Sequence, residues 1–111
     1  MSNFGAANPP AAARRILEIA GAQGLRAPRI AVIRGDDLSG PAHRDLLRRE
    51  LGASLEGIDI VSANAYLGAE PIAAALRAGA DVVVAGRVAD PSLAVGPVMA
   101  HHDIAPDDWE R

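Results

Sequence analysis

The stretch "AGADVVVAGRVADPS", residues 78–92, decides the fold class. Val82, Val83, Val84 and Ala85 form a short apolar run between Gly79 and Gly86. Such a run, with no polar alternation, is the pattern of a strand buried on both faces, as in parallel sheets. Arg87 and Asp90 follow at once, and then Pro91. Asp before Pro marks a helix start, because Asp caps well and Pro fits the first helical position.

The same build appears upstream. "RIAVI", residues 29–33, is a second buried run, ending in "RGDDLSGP". Pro41 then opens a helix in which Leu47 and Leu51 are i, i+4 neighbours and Gly52 is the stop signal. "GIDIVSANAY" predicts a strand from Ile58 to about Ser62. Pro71 stands near the start of the next helix, with Ile72, Ala75 and Leu76 as its apolar face and Gly79 at its end. The helix after Asp90-Pro91 presents Val95, Val98 and Met99. At the N-terminus, Asn8-Pro9 opens a helix whose apolar positions are Ala12, Ile16, Ile19 and Ala20. Pro106 and Asp107, before Trp109, repeat the cap signal.

The order α-β-α-β-α-β-α predicts an α/β fold: a three-layer, mostly parallel sheet of Rossmann-like topology. The first helix has no strand before it, and "SNFGAAN" has the look of a strand-to-helix loop. The expectation is therefore that residues 1–111 are a partial α/β domain of a longer protein, one whose flanking strands would cover the sheet edges.

Composition narrows the function classes. Of 111 residues, 24 are Ala, against 10 Leu, 8 Ile and 8 Val, so the core is lean. A lean core points to shared interfaces, and a homo-oligomer of the longer protein is expected. The net charge of −3 speaks against nucleic-acid and polybasic membrane partners. There is no Lys, which removes Schiff-base and P-loop lysine chemistry, and no Cys, which removes thiol catalysis and thiolate metal sites. No run approaches the roughly 20 apolar residues of a membrane span, and "MSNFGAANPP" lacks signal-peptide character. A cytoplasmic location is expected.

In a parallel sheet, the loops that follow the strands meet at the carboxyl edge, where open α/β sheets bind ligands. Four loops bring a dense polar set there: Asn3 and Asn8; Arg34, Gly35, Asp36 and Asp37; Ser62, Asn64, Tyr66 and Glu70; Gly86, Arg87 and Asp90. The helix starts beside them favour anions. Arg87 is either a clamp for a carboxylate or phosphate or an ion-pair partner of Asp90 or Asp36. Asp36 and Asp37 are the candidate catalytic carboxylates, as base or as ligand to a metal-bound water, or else a solvated turn. Asn64, Tyr66 and Asn3 are candidate substrate-binding groups, suited to a carbonyl or hydroxyl, or else loop braces. Asn8 and Asp90 read first as caps. His101 and His102 are adjacent, so on a helix they point about 100° apart and do not make a metal site. No nucleophile elbow and no dinucleotide fingerprint occur. The sequence names no cofactor.

"SNFGAANP", "VIRGDD", "SANAYLGAEPI", "ALRAGADVVVAGRVADPSL" and "APDDW" follow one another in this order. Together they resemble the acyclic terpene utilisation family, bacterial proteins linked to citronellol and geraniol breakdown. The resemblance covers nearly the whole chain and implies an internal part of that family's N-terminal α/β domain. It implies a catabolic role around branched acyl-CoA or carboxylic acid intermediates and assigns no catalytic residue. The residues alone leave three readings open: a site for an anionic small molecule, a non-catalytic binding or assembly module with a structural polar network, or a piece of a (β/α)₈ barrel with a phosphate site after a late strand.

Overall fold

The computed structural model describes residues 1–3 and 8–108. Helix α1 (Pro9–Ala22) starts where the sequence places it: the Asn8 side chain accepts from the Ala11 N–H at 3.1 Å. Strand β1 (Ile30–Ile33) follows. Pro41 opens a single 3₁₀ turn (Pro41–His43) before α2 (Arg44–Leu51), and a second 3₁₀ turn (Gly52–Leu55) closes it. Helix α3 (Glu70–Arg77), strand β2 (Val82–Ala85) and helix α4 (Ser92–His102) complete the order.

β1 and β2 pair in parallel, with Ile30 opposite Val82 and Ile33 opposite Ala85. Ser2 extends the sheet on the other edge of β2: its N–H donates to the Val83 carbonyl and its carbonyl accepts from the Ala85 N–H. The valine run is therefore bonded on both sides, which is why it lies at the centre of the core. Val83, Val84 and Ala85 are almost wholly buried. Ile33, Val83, Ala85 and Val88 pack with Ile72 of α3 into one cluster. α1 contacts both strands without entering that cluster.

Three expectations are corrected. Ile58–Ser62 forms no strand: it pairs with neither β1 nor β2, and Val61 is 92% exposed. An apolar run becomes a strand only beside an open edge and a core, and among the described residues this one meets neither. The chain is pinned just beyond it, where Asn64 bridges Asp37 and Leu67 bridges Val88. Asp90 does not cap α4 with its side chain; the first turn closes through Ser92 N–H to the Ala89 carbonyl and Leu93 N–H to the Asp90 carbonyl. The buried faces of two helices also match the expected ones only in part: Ala20 and Met99 are buried as expected, and Ile19, Val95 and Val98 are not. α1 buries Pro9, Ala13 and Ala20 while Ile19 is exposed; α4 buries Ser92, Gly96 and Met99 while Val95 and Val98 are exposed. The reason in α4 is close approach: a Cβ on Gly96 would stand 2.6 Å from Ile72 Cγ2. α3 and α4 pack along each other through that glycine, so the smallest residue, not the valines, faces the partner helix. Pro106 and Asp107, the last cap signal, stand in a turn closed by the Asp108 N–H on the Ala105 carbonyl; Trp109, which follows them, lies outside the described residues.

Polar anchors fix the ends. Asp81, just ahead of β2, accepts from the Arg29 backbone N–H at 2.8 Å and pairs with the Arg26 and Arg29 guanidinium groups. The Arg29 N–H, with help from both guanidinium groups, holds the Asp81 carboxyl below its ordinary pKa. Arg77 reaches from α3 to the end of α4 and donates to the Met99 and Ile104 carbonyls, each at 2.9 Å. The described residues span 52 × 43 × 19 Å, and their radius of gyration is 16.7 Å, where a compact chain of this length has about 13 Å.

Gly96→Val is expected to destabilise the fold by about 1–3 kcal/mol, read in a thermal or urea melt, because Ile72 and the Ala69 carbonyl leave no room for the branched side chain. Asp81 gives a pH signature. Its folded pKa is depressed, so its contribution is present above the unfolded value of about 3.9 and is lost as pH falls through that range. Asp81→Asn is expected to lower Tm at pH 7 and to shrink the drop in Tm between about pH 5 and pH 3. An unchanged acid limb would refute the anchor.

Candidate functional site

The carboxyl edge of the two strands is held together by one buried carboxylate. Asp36 is only 4% exposed. Its Oδ2 accepts from the Arg87 backbone N–H at 2.7 Å and from Asn64 Nδ2 at 3.4 Å. Its own carbonyl accepts from the Ala65 N–H at 2.8 Å. The carboxylate lies directly against Gly86, where any Cβ would collide with it. Glycine is therefore required at the end of β2 so that the loop after β1 can close over it. Leu67 adds a second tie, donating to the Arg87 carbonyl and accepting from the Ala89 N–H.

This frame borders a cavity of about 650 Å³ lined by Asn8, Pro9, Pro10, Arg34, Gly35, Asp36, Asp37, Ser39, Ser62, Asn64 and Arg87. All four loops singled out in the sequence contribute, so Arg87 and Asn64 stand in one site. Tyr66 is not in the lining; its ring sits outside, with the Arg87 guanidinium carbon 5.9 Å from the ring centroid. That is cation–π range, so Tyr66 braces the guanidinium. Asn3, Glu70 and Asp90 are not in the lining either. Arg34 and Ser39 join the site; the first was in the expected loop, and nothing in the sequence marked the second.

Of the two readings of Arg87, the ion pair is absent among the described residues. Its backbone, not its side chain, is bound to Asp36, and neither Arg87 nor Arg34 makes an ion pair with a described residue. Both arginines line the cavity. The profile of the family described as "Acyclic terpene utilisation family protein AtuA" matches residues 1–111. The chain belongs to the acyclic terpene utilisation family. No curated protein and no solved structure matches it. In this family member the two aspartates differ. Asp36 is consumed by the frame. Asp37 is exposed and accepts from the Ser39 hydroxyl and from the Ser39 N–H at 2.9 Å; these bonds hold its carboxyl below the ordinary pKa. Among the described residues no group of three or more His, Cys, Asp or Glu is placed to hold a metal ion. Among the described residues no helix is long and apolar enough to cross a membrane.

The start of α1 borders the cavity but offers few donors. Pro9 and Pro10 have no N–H, the Ala11 N–H is taken by the Asn8 side chain, and the Ala12 N–H by the Asn8 carbonyl. The helix start thus supplies its field without free N–H donors in its first turn.

Asp36→Ala is expected to destabilise the protein by about 1–3 kcal/mol, because it orphans the Arg87 N–H. Hydrogen exchange at the Arg87 amide should accelerate with it, and an amide as protected as in the wild type would refute the frame.

Proposed function

We propose that this chain is the ligand-binding part of a catabolic α/β protein and that its carboxyl-edge cavity takes an anionic small molecule, a carboxylic acid or its acyl-CoA form. The observation that carries this reading is that two arginines, Arg34 and Arg87, line one polar cavity and that no carboxylate among the described residues pairs with either. Arg87 grips the anion, Tyr66 braces Arg87 from outside, and Asn64 sits beside it to engage a second polar group of the ligand. Asn3 is a more distant candidate. Of the two aspartates, Asp37 is the one free to meet a ligand; its lowered pKa keeps it ionised and makes it a weak base. Asp36 acts by fixing the loops. Membership of the family supports the terpene-utilisation context.

In the same reading, α1 and α3 cover opposite faces of the sheet, giving a three-layer Rossmann-like domain within a longer cytoplasmic protein. The flat shape and the bare apolar side chains at Ile58 and Val61 favour further protein packed on this unit, including copies of itself.

The test is a thermal-shift and calorimetric screen of the full-length protein against short branched carboxylates and their CoA thioesters. A ligand that binds the folded state raises Tm. Arg87→Ala keeps the backbone N–H, so the Asp36 frame and the unliganded Tm are expected to survive while affinity falls about tenfold or more. A full-length Arg87→Ala variant with undiminished affinity and activity would instead favour a structural polar network in an assembly module.

A further inference from the structure

The geometry points to a hydroxylated carboxylate as the ligand: a hydroxy acid whose anionic end meets Arg87 and whose hydroxyl donates to Asn64 Oδ1. This rests on the anion-binding reading above and adds the second group of the ligand. An Asn side chain can present either its NH₂ or its carbonyl, so a lone Asn in a cavity does not say whether it wants a donor or an acceptor. Here Asp36 decides. Its Oδ2 is already an acceptor for the Arg87 N–H, so the Asn64 group turned toward it is the NH₂, at 3.4 Å. With Nδ2 committed, Oδ1 is the end left over, and among the described residues no donor reaches it. Asn64 lines the cavity beside Arg87. The pair therefore offers a ligand one cationic fork and one neutral acceptor. A ketone would set its carbonyl oxygen against Oδ1, two acceptors facing each other. An unsubstituted acid would leave Oδ1 to water. A hydroxyl satisfies it, and a site built to bond a hydroxyl rejects analogues that lack one.

The experiment measures the affinities of butyrate, 2-hydroxybutyrate, 3-hydroxybutyrate and acetoacetate for the full-length protein by calorimetry or NMR titration. At least one hydroxy acid is expected to bind about 3–10-fold tighter than butyrate, and acetoacetate no better than butyrate. Asn64→Ala is expected to erase the hydroxyl preference, so that butyrate and the hydroxy acids bind alike; Arg87→Ala weakens all four. Butyrate bound as tightly as both hydroxy acids, or acetoacetate bound best, overturns the inference and leaves the anion site standing. A wild-type protein that binds none of the four overturns both. If Asn64→Ala does not fold, the wild-type series alone decides between these outcomes.

Discussion

The geometry of the cavity depends on one buried carboxylate. Asp36 is the point at which the loop after β1, the loop before α3 and the end of β2 are fastened together. A buried carboxylate is costly unless it is fully hydrogen-bonded, and this one is offered bonds from two different loops at once. That mutual dependence explains Gly86, whose missing side chain is the space the carboxylate occupies. It also explains how a two-stranded sheet with a lean, alanine-rich shell can hold four loops around a cavity of about 650 Å³.

What the sequence made legible was whatever short-range chemistry determines. The valine run, the Asn8-Pro9 start and the Gly52 stop all landed where local rules put them. The parallel pairing followed from helices lying between the strands. Ile58–Ser62 looked like a strand because composition reports a liking for burial and says nothing of whether a neighbour is there to provide it. The face of α4 was misjudged for the opposite reason. Counting apolar side chains favours Val95 and Val98, yet the helices meet at Gly96, because closeness requires the absence of a side chain.

The site shows the same division. Sequence order was enough to send Arg34, Asp36, Asp37 and Arg87 to one edge, since each follows a strand; Asn64 follows none and is brought there by its bridge to Asp37 and its bond to Asp36. It could not distribute their roles. Asp36 and Asp37 are neighbours of identical chemistry; one turns into the frame and the other outward to Ser39, a difference set by partners 28 and 51 residues away in one case and two residues away in the other. Nor could it show that the two prolines opening α1 remove the donors that a helix start is usually expected to supply.

Arg87 serves the frame with its main chain and the cavity with its side chain. Those two duties are separable. Every amino acid except proline brings the N–H that Asp36 requires, so the architecture places almost no restriction on which side chain stands at position 87. The side chain at this position can be exchanged at little cost to folding. The chemistry of this edge is thus free to drift by single substitutions while the scaffold stays the same.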